Sequence, residues 1–151
     1  MLNISGSYEC RIDSKGRLML PAAFKKQLDS VLKQPFVLKR SPYNTCLELY
    51  PVASWNEEMD QFKNLNRFLK ETRDFIRRFT AGYKEVELDA VGRLLIPKDL
   101  KEFSKIKNEV VLASMQSCIE IWSKPEFNKF ENDKNIDTAA LAVRVTEGKP
   151  K

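Results

Sequence analysis

The feature that most restricts the fold of this 151-residue chain is an internal repeat. Residues 8 to 26, YECRIDSKGRLMLPAAFKK, align without a gap on residues 84 to 102, KEVELDAVGRLLIPKDLKE. Asp13 falls on Asp89, Gly16 on Gly92, Arg17 on Arg93 and Pro21 on Pro97, each 76 positions further on. Later, Cys46-Leu47-Glu48-Leu49-Tyr50 matches Cys118-Ile119-Glu120-Ile121-Trp122, and Trp55 falls opposite Phe127, now at 72 positions, as a small loop deletion produces. Self-similarity at a fixed spacing marks a supersecondary unit used twice, so any acceptable fold must accommodate both copies.

Each copy predicts strand, tight turn, strand, short helix, strand, turn, strand and then a helix. In the first, Cys10, Ile12, Leu18 and Leu20 alternate with Arg11, Asp13, Arg17 and Met19, and Val86, Leu88, Leu94 and Ile96 repeat the apolar set. Alternation of period two describes strands with one face in a core and the other presented. Between the arms, Ser14-Lys15-Gly16 and Ala90-Val91-Gly92 suit turns in which Gly16 and Gly92 take the left-handed conformation. Pro21 and Pro97 suit a first helical turn, followed in copy one by Phe24, Leu28, Val31 and Leu32 at helical spacing. Third strands are expected at Phe36-Val37-Leu38 and Val110-Val111-Leu112, and fourth strands at Leu47 to Tyr50 and Ile119 to Trp122.

From Ser54 to about Thr80 the pattern turns helical, with Ser54 and Glu57 forming a candidate capping box. Trp55, Met59, Phe62 and Leu65 make one apolar stripe and Phe68, Leu69, Phe75, Ile76 and Phe79 another, which predicts two core-packed helices broken near Asn64 to Asn66. The chain therefore divides into a first repeat (7–53), a helical linker (54–81), a second repeat (82–127) and a polar C-terminal tail (128–151) expected to be mobile. The fold class is mainly β with packed helices.

Charge and composition narrow the function. Lys and Arg number 26 against 21 Asp and Glu, a net charge of +5 that favours an anionic partner. There is no His, which removes imidazole bases, His metal ligands and His-activated nucleophiles together. Cys10, Cys46 and Cys118 stand far apart, with no metal or redox spacing and no even-numbered disulfide framework, and they read as small buried residues in a reducing compartment. Met1 to Tyr8 lacks the pattern of a secretory leader, and no stretch approaches 18 consecutive apolar residues, so no membrane partner is expected. These observations point away from an enzyme, and no cofactor, metal or small-molecule substrate is implied.

The paired Asp13-Ser14-Lys15-Gly16-Arg17 and Asp89-Ala90-Val91-Gly92-Arg93, each followed by an apolar run and Pro, resemble the two D-x-x-x-R signatures of the MraZ family, related to SpoVT-AbrB DNA-binding domains. The resemblance covers about residues 7 to 127. It implies tandem AbrB-like β-barrel repeats built from swapped, intertwined hairpins, and a ring-shaped homo-oligomer. It further implies a cytoplasmic, nucleoid-associated transcriptional regulator, usually a repressor, acting on promoter DNA of the division and cell-wall gene cluster.

Arg17 has two readings. Its planar fork suits bidentate contact with guanine in a major groove wide enough for a two-stranded ribbon, or it simply pairs with Asp13 across the turn. Both hold if Asp13 orients Arg17, and the resemblance favours DNA contact. Lys15 at the turn tip is expected on a phosphate. The candidate DNA-binding set is Arg11, Asp13, Lys15 and Arg17. In the second hairpin Glu87 replaces Arg11 and Val91 replaces Lys15, which leaves it net negative. Asp89 and Arg93 are therefore expected to serve structure or a subunit interface more than DNA. Gly16 and Gly92 are expected to be structural. Arg67, Lys70, Arg73, Arg77 and Arg78 read as the solvated side of a helix. The alternative is an AbrB-fold protein-interaction module, antitoxin-like, with DNA binding secondary.

Overall fold

The first turn forms where its residues require it, but the two strands that leave it part company. In the computed structural model, which describes residues 2–148, β1 (Ser7–Arg11) and β2 (Arg17–Met19) share only the isolated bridge between Ile12 and Leu18. β1 instead pairs antiparallel with β7 (Glu109–Ser114) of the second copy, and β2 pairs with β6 (Arg93–Leu95). The second copy returns the exchange, since β5 (Lys84–Val86) pairs with β3 (Phe36–Arg40) of the first. With β4 (Leu47–Pro51) against β8 (Ile119–Ser123) at the centre, the six-stranded sheet runs β1-β7-β8-β4-β3-β5, and β2-β6 forms a separate ribbon. The copies are thus related by an approximate two-fold axis between Leu18 and Leu94 in the ribbon and between Glu48 and Glu120 in the sheet, which are register partners.

The ribbon closes over one face of the sheet. Leu18, Leu20, Leu94 and Ile96 meet Phe36, Leu38, Leu47, Leu49, Val110, Leu112, Ile119 and Ile121, all buried, and Phe24, Leu28, Leu100 and Ile106 seal the ends. The tandem swapped-hairpin barrel that the resemblance implies is the architecture observed.

The helices stand where each copy needs cover. Pro21, Pro51 and Pro97 adopt extended backbone just before α1 (Ala22–Gln27), α2 (Val52–Asp60) and α4 (Lys98–Ser104). They are cap residues, one position earlier than the first-turn placement expected for Pro21 and Pro97. The Ser54 capping box does not form, because Pro51 starts α2 early and carries Ser54 into its first turn, where it is buried. The capping serine is Ser123, whose hydroxyl accepts the Glu126 amide at the start of α5 (Lys124–Glu131). A short 3-10 turn continues α2 to Asn64, and α3 (Lys70–Phe79) follows, so the break near Asn64 to Asn66 is observed.

The second sheet face is covered by Trp55, Phe62 and Phe79 over Val37 and Tyr50, and by Phe127 over Val111 and Trp122. The linker stripe is only partly core: Leu65 and Leu69 are exposed and Phe68 is 99% exposed, because the chain between the 3-10 turn and α3 swings away from the sheet. Arg67, Lys70, Arg73, Arg77 and Arg78 are exposed, as a solvated face should be. The tail segment is helical in part: α5 runs past residue 128, and α6 (Thr138–Thr146), capped by Asp137, has no buried residue. Residues 149–151 of the expected tail lie outside the described residues.

Two charged side chains lie inside the helix-covered face. Lys39 is fully buried, with Nζ 2.6 Å from Glu48 Oε1, 3.1 Å from the Arg40 carbonyl and 4.2 Å from the Phe79 ring centroid. The matching cross-strand pair in copy two is Ala113 and Glu120, which has no lysine. No helix among the described residues is long and apolar enough to cross a membrane.

Candidate nucleic-acid interface

Each hairpin turn is organised by its aspartate. Asp13 Oδ1 accepts the backbone amides of Lys15 at 2.9 Å and Arg17 at 2.8 Å, while Oδ2 accepts Arg17 Nε at 2.8 Å. Asp89 does the same with the amides of Val91 at 3.1 Å and Arg93 at 2.8 Å and with Arg93 Nε at 2.6 Å. In both turns the amide of the arginine, and then its guanidinium, hold the carboxyl below the usual aspartate range. Gly16 at φ +81° and Gly92 at φ +88° supply the left-handed residue that closes each turn back onto its aspartate carbonyl.

The turns are stitched crosswise. Ile96 donates its amide to the Gly16 carbonyl at 2.9 Å, and Leu20 donates to the Gly92 carbonyl at 3.1 Å. Each loop is therefore fastened to the strand end of the other copy, which sets the two arginines relative to one another. In the ribbon register Arg17 is opposite Leu95 and Met19 is opposite Arg93. Leu18 and Leu94 point inward, so Arg17, Met19, Arg93 and Leu95 share the outer face, with Met19 42% and Leu95 56% exposed. Diagonal positions across such a pair lie roughly 7–8 Å apart. The aspartates engage only Nε, so among the described residues the terminal guanidinium nitrogens have no hydrogen-bond partner.

Lys15 is exposed at its turn tip. Arg11 is exposed at the end of β1, opposite Glu109 in the sheet and outside the ribbon. Asp89 and Arg93 pair locally, and Arg93 stands on the same ribbon face as Arg17. One cation at this face was invisible in the hairpin sequences: Lys25, in α1 of copy one, reaches the second loop with Nζ 3.4 Å from the Val91 carbonyl. The signal that could have found it is the swap itself, which brings α1 beside the loop of the opposite copy.

Burial pushes the Cys10 thiol up to about 11 and the Cys118 thiol to about 12, and raises Cys46 as well, the opposite of what a nucleophile needs. A cleft of about 990 Å³ between α4 and α5 contains no residue of either loop.

The sequence profile of the family described as "MraZ protein, putative antitoxin-like" matches residues 4–78 and again 79–147. That double match spans both halves of the swapped barrel. The chain belongs to the MraZ family. It is 51% identical over 145 residues to the transcriptional regulator MraZ of Christiangramia forsetii, covering 96% of this chain and 94% of that protein. It is 52% identical over 145 residues to the protein of the same name from Flavobacterium psychrophilum, covering 96% and 92%. A more distant relative so named, from Cytophaga hutchinsonii, is 37% identical over 140 residues. MraZ membership places the chain among transcriptional regulators and outside the enzymes.

Proposed function

We propose that this regulator acts by setting its ribbon against double-stranded promoter DNA, with Arg17 reading base edges and Lys15 and Arg11 on phosphates. The observation that carries this reading is the pair of aspartate-braced arginines on one exposed face of a two-stranded ribbon. A ribbon fits the major groove, and a guanidinium fixed through Nε keeps both terminal nitrogens for the O6 and N7 of one guanine. Asp13 is the positioning residue of the set. Base reading rests with the first hairpin, while the Asp89–Arg93 pair holds the second loop in register.

One hairpin is too little for tight binding. A bidentate arginine–base pair contributes about 1–3 kcal/mol, against about 12 kcal/mol for a nanomolar complex. We therefore read the chain as a subunit of a closed homo-oligomer, a ring, in which several hairpins engage repeated sites on one duplex. The terminal strands β1 and β5 of the sheet support this, since open edges favour pairing or cover by another subunit. The target we assign is the promoter of the division and cell-wall gene cluster, with repression as the sign and the nucleoid-associated cytoplasm as the place. Footprinting on the DNA upstream of the chain's own gene, with light scattering of the same preparation, tests the reading. Protection at regularly spaced repeats by a species well above 17.5 kDa is expected. Uniform, sequence-independent protection or a monomer overturns it.

The words "antitoxin-like" in the family description favour one second reading, a protein-interaction module whose partner is a toxin. Exposed Val143 and Val145 on α6 are the surface it would use. Co-purification of a small protein at one-to-one stoichiometry would decide for it.

A further inference from the structure

We propose that Lys25 is a phosphate contact of the second loop, supplied by the opposite copy in place of the cation that Val91 omits. By its own sequence the second hairpin is a poor polyanion site, with Glu87 where the first has Arg11 and Val91 where it has Lys15. The swap changes that. Lys25 lies over the loop with its stem against Gly92: a Cβ built on Gly92 would stand 2.9 Å from Lys25 Cδ and 3.4 Å from Nζ. Gly92 thus supplies both a positive φ and the room through which the lysine passes.

The ammonium is poorly satisfied where it sits. Its neighbours are the Val91 carbonyl at 3.4 Å, a long contact, and the Met19 sulfur at 3.5 Å, a weak acceptor, and among the described residues it forms no ion pair. Asp89, the nearest loop carboxylate in sequence, is committed to Arg93. The surrounding cavity, about 490 Å³, is lined by Lys25, Lys33, Asp89 and Val91 among others, so a second lysine borders the same space. A compact ammonium with free donors on a flexible stem is the group that takes a phosphate oxygen as a point charge.

The arrangement occurs once. At Gly16 the nearest atoms to a built Cβ are the Ile96 carbonyl at 3.7 Å and Leu95 Cδ1 at 3.8 Å, with no lysine. The repeat counterpart of Lys25 is Lys101, which lines the cleft between α4 and α5. Besides its arginine, each loop therefore carries one lysine, Lys15 from within the first and Lys25 from across the axis for the second.

The inference rests on the ribbon facing DNA, and the experiment separates the two. Fluorescence anisotropy of the full chain on a mixed-sequence double-stranded oligonucleotide, titrated from about 50 to about 200 mM salt, reads the number of phosphates engaged. Lys15→Gln and Lys25→Gln should each flatten the slope of log affinity on log salt by about 0.9 for every phosphate no longer neutralised. Lys25→Arg should keep the slope, and Val91→Lys in the Lys25→Gln background should restore it, the second of which a packing role for the stem does not explain. Should Lys25→Gln fail to fold, Lys25→Met makes the same test, since it keeps an apolar stem over Gly92 and removes the charge alone. A flattened slope for Lys15→Gln with an unchanged one for Lys25→Gln overturns the inference and leaves the DNA reading standing. Absence of binding by the unaltered chain at the lowest salt overturns both.

Discussion

Glu48 and Glu120 face each other as register partners across β4 and β8, and Lys39 neutralises only the first. Glu120 is left with the Trp122 indole, which donates to its Oε1 at 2.9 Å. Burial, with a smaller contribution from the Glu48 charge, raises its carboxyl above the usual glutamate range, and the indole hydrogen bond offsets this only in part. A folded-state value above the unfolded one contributes stability at low pH that is lost as pH rises through the folded value. Glu120→Gln keeps an acceptor for Trp122 and removes the charge. It should raise the melting temperature near pH 7, with the gain shrinking toward about pH 4 as the native glutamate protonates. Melting curves across that range check it, and a gain that grows on acidification refutes the account.

Lys39 poses the converse case. Removing one partner of a buried ion pair leaves the other charge uncompensated, at about 3–5 kcal/mol. Lys39→Met should cost that much in urea denaturation, since Glu48 would then face Glu120 with no cation. Adding Glu48→Gln should recover a large part, and purely additive losses in the double variant would show that the pair is not coupled.

The ribbon depends on Leu18 against Leu94, both fully buried. Leu94→Ala should destabilise by about 2–5 kcal/mol through lost transfer energy and the cavity left behind. The midpoint of chemical unfolding measures it. A loss below about 1 kcal/mol would mean that the site collapses freely, in contrast to a closely packed interior.

Base reading by Arg17 makes a geometric demand that charge alone does not meet. Arg17→Ala should lower affinity for the specific site by about 1–3 kcal/mol per hairpin engaged, and Arg17→Lys should not restore it, because an ammonium lacks the two-pronged fork. Asp13→Asn retains an oxygen for the two backbone amides but loses the charged grip on Nε, so it should weaken specific binding with the fold intact. Gel shifts with specific and mixed duplexes separate these effects. Full activity of Arg17→Lys would remove the base-reading role.

Replacing the two turn glycines should have unequal effects on DNA binding. Alanine at φ +81° or +88° costs about 1–2 kcal/mol in either place. Gly92→Ala must also displace Lys25, whereas Gly16→Ala meets nothing closer than 3.7 Å. Only Gly92→Ala should flatten the salt dependence of DNA binding beyond its effect on stability.

Much of the architecture is legible in the residues. Alternation locates the strands, Gly16 and Gly92 mark turns that do carry positive φ, and the repeat announces a unit used twice. Local periodicity does not say which strand a strand will join, so the exchange of β1 and β5 between copies follows only from the family resemblance. Phe68 satisfies a helical stripe and still stands in solvent, because a stripe records spacing and not the direction in which the chain leaves its neighbour. Lys39 is hidden inside an apolar strand, since a lysine there looks like an edge until its carboxylate partner is seen. Lys25 is hidden for the same reason as the swap: its partner loop is remote in sequence.

The approximate two-fold axis carries a consequence for how the molecule can change. In a barrel assembled from two identical chains, every substitution is made twice and meets itself across the axis. Here the halves are covalently joined, so a substitution is made once. A lysine can face one central glutamate and an alanine the other, and one loop can carry its own lysine while its twin borrows one. Joining the copies gives the protein a symmetric frame on which asymmetric chemistry can be written.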